Sequence, residues 1–129
     1  MACAAEDDNY EPNPETIARQ NDLFRRAQCL GETTDPVIPG RCVVTATLHA
    51  EGPEFLRAAC HAVGTFDDFK HDNDPEGHRD FGAVEVSGKR LFFKIDMYQA
   101  GSYLRWGAER ADDLATTERV LTIMFPSDW

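Results

Sequence analysis

Residues 67–82 concentrate the side chains that could do chemistry. Asp67, Asp68, Asp72, Asp74, Glu76 and Asp80 supply six carboxylates, His71 and His78 supply two imidazoles, and Gly77 and Gly82 loosen the backbone. Carboxylates beside imidazoles suit a metal ion or proton transfer. Asp72-x-Asp74-x-Glu76-Gly77 imitates the start of a calcium-binding loop. Ala83 stands where that loop needs a bidentate Glu, Pro75 stiffens it, and no helix is predicted to come after it, so the calcium reading fails. A transition-metal site from His71, Asp74, His78 and Asp80 is compatible with the donor types, but their spacing is not diagnostic. A catalytic arrangement would pair His78 with Asp80 or Asp74 and use Cys60 or Ser102 as nucleophile. No nucleophile elbow, phosphate loop or HExxH accompanies them. Turn chemistry accounts for the segment more simply. Asn73-Asp74-Pro75 makes its own backbone turn, with Asp74 or Asp80 capping amides where a hairpin begins. No catalytic residue, no metal ligand and no cofactor is therefore assigned.

The elements around this segment follow from periodicity. Asn13-Pro14 starts a helix, whose apolar arc carries Ile17, Gln20, Leu23, Phe24, Ala27 and Leu30 and which stops at Gly31. Asn21 and Arg25, one turn apart on its edge, are placed to bond to the sheet or to the acidic turn. Arg41 to His49 alternates and reads as a strand. Gly52-Pro53 opens a second helix that ends at Gly64, with Phe66 and Phe69 tucked beneath the acidic segment. Phe81–Ser87 and Arg90–Tyr98 form a hairpin around Ser87-Gly88, with Leu91, Phe93, Ile95 and Met97 facing the core. Gln99 to Asp113 is a polar connection carrying Tyr103 and Trp106. Arg119 to Phe125 is the last strand, stopped by Pro126, although Thr116-Thr117-Glu118 could also cap a short helix. The expected fold is α+β: a two-layer domain over 14–129, with a mainly antiparallel sheet of about four strands and two helices on one face. Residues 1–13 are expected to be frayed. The other face, with Phe92, Lys94 and Asp96, is left partly open.

Composition narrows the function classes. The chain has 129 residues and a formal net charge of −10. That charge argues against direct contact with nucleic acid or an anionic membrane. It suits docking onto the basic surface of another protein. No apolar run reaches membrane-spanning length, and Met1 to Glu11 carries no signal-peptide pattern, so a cytoplasmic location is expected. Cys3, Cys29, Cys42 and Cys60 show no CxxC spacing and read as small structural residues.

Four stretches together resemble an uncharacterised family of small bacterial proteins catalogued as a domain of unknown function. They are Gln20-Asn21-Asp22-Leu23-Phe24-Arg25, Asp72-Asn73-Asp74-Pro75-Glu76-Gly77, Phe93-Lys94-Ile95-Asp96-Met97-Tyr98 and Thr116-Thr117-Glu118-Arg119-Val120-Leu121-Thr122-Ile123-Met124. The family pattern after the glycine reads Glu-His-Asp-Phe-Gly, where this chain has His78-Arg79-Asp80-Phe81-Gly82. Its Tyr-Asp at the end of the central strand is here Tyr98-Gln99. Both changes strike the positions a His/Asp site would use, which weakens an enzyme assignment. The resemblance implies a setting on plasmids and other mobile elements, near antirestriction genes. With the charge, it leads to the expectation of an acidic, non-enzymatic inhibitor of a host defence nuclease or CRISPR complex. Its partner-binding residues would be Asp67, Asp68, Asp72, Asp74, Glu76, Asp80, Asp112 and Asp113, with Tyr103 and Trp106 as apolar anchors. The alternatives are a small enzyme or metal-binding protein centred on Asp74, His78 and Asp80, and a regulatory protein-interaction domain.

Overall fold

Asn13 caps α1 (Pro14–Leu30) by accepting the Thr16 amide on its Oδ1 at 3.0 Å, and Gly31 closes it in a left-handed conformation. The computed structural model describes residues 10–129, so most of the segment expected to fray lies outside the described residues. Tyr10 and Asn13 do fall within them. The Tyr10 hydroxyl and the Asn13 amide both donate to the Asp112 carboxylate, and Arg110 lies over the Tyr10 ring.

The chain continues through β1 (Gly40–Val44), the one-turn α2 (Ala46–His49), α3 (Pro53–Gly64), β2 (Phe81–Val86), β3 (Lys89–Gln99), β4 (Thr117–Met124) and a final 3-10 turn at Pro126–Asp128. The fold is α+β, with one four-stranded sheet in the order β1-β4-β3-β2. β2–β3 and β3–β4 pair antiparallel, and β1–β4 pairs parallel. The hairpin turns on Ser87 and Gly88, both at positive φ, which matches the twist of its strands.

One expected element needs correction. The strand predicted over Arg41–His49 ends at Val44, and Thr45 starts a helical turn instead. Leu48 is fully buried in that turn. Its burial satisfies the alternating pattern and the helical one equally, so periodicity alone ran the strand on. The Thr45 and Thr47 hydroxyls donate to Asp128 at 2.8 and 2.6 Å, fixing the bend against the C-terminus. The short helix considered at Thr116–Glu118 is not formed, because Thr117 already belongs to β4.

α1 and α3 pack on one face of the sheet. Phe24 and Val63 meet Leu91, Phe93, Ile95, Leu121 and Ile123 in the core. Gly82 allows a close approach there: a Cβ on it would sit 2.6 Å from Phe93 Cζ and 2.9 Å from Phe66 Cε1. The opposite face is partly covered by the chain's own end. Trp129 lies edge-on to Phe81 and Phe92, with the Lys94 ammonium 5.6 Å from its ring.

Candidate functional site

The acidic segment lies between α3 and β2, and internal bonds fix its backbone. Asn73 Oδ1 accepts the Lys70 amide at 2.6 Å, while its Nδ2 donates to the Asp68 carbonyl at 2.9 Å. Both Asp74 oxygens accept the Arg79 amide, at 3.1 and 3.0 Å. Asp74 is thus the predicted cap at the start of the hairpin, and it holds Arg79 at a φ of 55°, unusual for a residue with a side chain. Arg79 in turn donates to Asp22 on α1 at 2.8 Å and lies over Phe69. Phe69 and Phe66 stack edge-on beneath the segment, as its sequence suggested.

This scaffold turns the carboxylates outward. Asp67, Asp68, Asp72 and Glu76 are exposed, whereas Asp74 and Asp80 are half-buried. Lys70 pairs with Asp68 at 3.3 Å, an exposed contact of little energetic weight. The other expected contacts divide. Tyr103 and Trp106 are 89 % and 66 % exposed, large apolar rings left in water. Their loop is pinned at its base: the Gln99 amide donates to the Trp106 carbonyl at 2.8 Å, and the Ala108 amide to the Met97 carbonyl at 2.9 Å. Tyr103 and Leu104 both hold left-handed backbone without being glycine, a strained conformation that keeps the Tyr103 ring outward. Asp112 and Asp113 are instead half-buried and internally committed. Asp112 holds the start of α1, and Asp113 Oδ1 accepts the Ala115 amide at 3.0 Å. Burial raises the Asp112 carboxyl, but the Asn13 amide and Tyr10 hydroxyl outweigh it and leave it below the usual range.

A cleft of about 420 Å³ separates the acidic segment from the aromatic loop. Glu76, His78 and Asp80 form one wall, and Ile17, Met97, Gly107, Ala108 and Ala111 supply the floor and the other side. His78 Nδ1 lies 3.5 Å from Glu76 and 4.0 Å from Asp80. Burial raises the Asp80 carboxyl above its ordinary value, with His78 opposing. The structure therefore brings His78, Asp80 and Glu76 together on one wall of the cleft, while the nearby Asp74 carboxylate is committed to the Arg79 amide and Arg25 is directed elsewhere. Arg25 donates to the carbonyls of Val63 and Phe66 and to Asp22, tying α1 to α3 and to the start of the segment. Among the described residues, no group of three His, Cys, Asp or Glu side chains is gathered to hold a metal ion. No helix of the described residues is long and apolar enough to cross a membrane.

Sequence reasoning missed the residue that anchors this region. Arg119 on β4 is fully buried. Its Nε donates to Asn21 at 2.7 Å, and one terminal nitrogen donates to Gln20 at 2.9 Å and to the Ala111 carbonyl at 3.0 Å. Asn21 passes the connection on by donating to the His78 carbonyl at 2.9 Å. Burial lowers the Arg119 guanidinium to about 10, with Asp112 opposing, so it stays charged at neutral pH. The signal was present: Arg119, Leu121 and Ile123 alternate along β4, which puts all three on the core face.

The family profile described as a protein of unknown function (DUF3768) matches residues 44–128, and the chain belongs to that family. The matched stretch includes the acidic segment, the sheet from β2 to β4 and the aromatic loop, while α1 lies before it. No curated protein and no solved structure matches the chain.

Proposed function

We propose that this member of the DUF3768 family is an acidic protein-binding inhibitor that docks on the basic surface of a nucleic-acid-processing protein, such as a host defence nuclease or CRISPR complex. One observation carries the reading: the backbone of 67–79 is bonded into a fixed shape while Asp67, Asp68, Asp72 and Glu76 stay exposed. A fixed loop loses little conformational freedom on binding, and exposed carboxylates can stand where phosphates would lie. The exposed Trp106, next to Gly107 on the far rim of the cleft, supplies an apolar anchor beside them. The net charge of −10 favours encounter with a basic partner. The setting on mobile elements, implied by the sequence resemblance, supports defence machinery as that partner.

The test is inhibition of purified restriction nucleases and CRISPR effectors by the wild-type protein and by Asp67→Lys/Asp68→Lys/Asp72→Lys/Glu76→Lys. The wild type should inhibit at least one of them, and the variant should lose about 100-fold or more in potency. Equal potency of the two proteins would remove the acidic segment from the contact.

A second reading, a small enzyme or metal-binding protein, is supported by the meeting of His78, Asp80 and Glu76 in the cleft. It predicts bound metal by elemental analysis, or a hydrolytic activity that His78→Ala abolishes. Metal-free, inactive wild-type protein would eliminate it.

A further inference from the structure

The cleft between the acidic segment and the aromatic loop is charged on one wall only. Glu76, His78 and Asp80 form that wall, and no Lys or Arg side chain lines any part of the cleft. A second cleft against the acidic segment, of about 500 Å³, is different. There Arg19, Lys70 and Arg79 stand among Glu15, Asp22 and Asp74, and Arg79 pairs with Asp22 at 2.8 Å.

Asp80 is half-buried, and among the described residues no side chain donates a hydrogen bond to its carboxylate. The counter-charge facing it is His78 Nδ1 at 4.0 Å, cationic only when that ring is protonated, and the same nitrogen lies 3.5 Å from Glu76. Two carboxylates thus converge on one imidazole in partial shelter from water. A sheltered carboxylate without a fixed partner is costly to keep ionised, so a cation entering here gains more than at the fully exposed acids of the segment.

The remaining walls select the kind of cation. Ile17, Met97, Ala108 and Ala111 offer an apolar floor and far side, which suit a methylene stem rather than a bare ion. Among the described residues the acids and the imidazole are not gathered to hold a metal. A volume of about 420 Å³ takes one long side chain, not a helix or a strand pair. The walls are also fixed in advance. Asn21 donates to the His78 carbonyl at 2.9 Å, the Ile95 amide to the Asp80 carbonyl at 2.8 Å, and Arg119 to the Ala111 carbonyl at 3.0 Å. A pre-shaped cleft needs little reordering to take a ligand.

We propose that this cleft receives an arginine side chain of the basic partner protein, with the guanidinium on Asp80 and Glu76 and the methylenes over Ile17, Met97 and Ala108. This rests on the proposed docking to a basic partner and names the side chain that enters. Arginine suits the cleft better than lysine, because its planar fork can meet two carboxylates and it gives up its hydration more readily.

The probe is a capped tripeptide with arginine between two glycines, titrated into the isotope-labelled full-length protein and followed by NMR. Its citrulline counterpart and spermidine serve as comparisons. The arginine peptide should bind with a Kd of about 1–10 mM and shift the amides of Ile17, His78, Asp80, Met97 and Ala108 most, while the uncharged citrulline peptide should not bind. Asp80→Asn removes the sheltered charge, and Ala108→Leu fills the groove without changing charge; each should weaken binding about tenfold with the protein still folded by the same spectra. Equal binding of the citrulline peptide, shifts confined to Asp67, Asp68 and Asp72, or unchanged affinity in both variants would overturn the proposal. So would spermidine binding this cleft more tightly than the arginine peptide, which would make the occupant a free polyamine. The titration needs no partner, so its failure is separate from a failure of inhibition. A nuclease inhibited at full strength by Asp80→Asn would remove the arginine cleft and keep the acidic segment as the contact. Arginine bound in the cleft with no nuclease inhibited would keep the cleft and remove the defence reading.

Discussion

Arg119→Met probes how the buried polar bridge joins helix, sheet and acidic segment. Arg119 is 0 % exposed and donates to three acceptors, on Gln20, Asn21 and Ala111. Methionine can fill much of the same space but leaves those acceptors without a donor. Each buried acceptor so abandoned costs roughly 1–3 kcal/mol. Part of this is returned, because a guanidinium no longer has to leave water, and one of its nitrogens has no partner in the folded state. The net expectation is a loss of about 3 kcal/mol. For a chain of this size that corresponds to a Tm lower by about 12 °C. Urea unfolding followed by circular dichroism measures it. A second comparison isolates the cause. Adding Gln20→Met and Asn21→Leu removes the abandoned side-chain acceptors but strands the His78 and Asp112 carbonyls that those amides serve, so the triple variant should stay destabilised, by less than the sum of the three single changes. The reasoning is refuted if Arg119→Met is as stable as wild type, or if the three changes are simply additive.

Three other outcomes rest on the same contacts. Gly82→Ala forces a methyl against the rings of Phe93 and Phe66 and should cost about 1–3 kcal/mol by the same unfolding assay, with β2–β3 amides exchanging faster. Asn73→Ala removes two bonds from an exposed loop, so stability should fall by less than about 1 kcal/mol, while hydrogen exchange rises across 67–76 and partner affinity drops about tenfold. Burial raises the folded Asp80 carboxyl above its unfolded value, so the folded state holds that proton more tightly and loses stability as pH climbs through the interval between the two. Asp80→Asn should therefore raise the urea midpoint relative to wild type near about pH 7 and leave it unchanged near about pH 3; the opposite order would reverse the assignment.

Much of the fold was legible because local chemistry and tertiary context agree. Asn13 and Gly31 bound α1 as their types dictate, and Ser87-Gly88 sets the hairpin. Asp74, one of the two residues that turn chemistry offered as amide cap, is the one that accepts the Arg79 amide. The parallel pairing of β1 with β4 was not legible, since no local pattern joins strands so far apart in the chain. α2 was hidden because Leu48 is buried under either period. Within the candidate contact set, the exposed acids and the two aromatic rings could be proposed from residue type alone. The internal commitment of Asp112 could not, because it depends on Tyr10 and Asn13 arriving from the other end of the chain.

Competition with DNA tests most directly whether the acidic segment occupies a partner's nucleic-acid surface. A nuclease or CRISPR complex inhibited by the protein is loaded with labelled duplex DNA, and the wild-type protein is titrated in while fluorescence anisotropy tracks the DNA. The account predicts that the DNA is displaced, that displacement weakens as salt rises, and that Asn73→Ala requires about tenfold more protein. A stable ternary complex, with DNA and protein bound together at saturation, would contradict it.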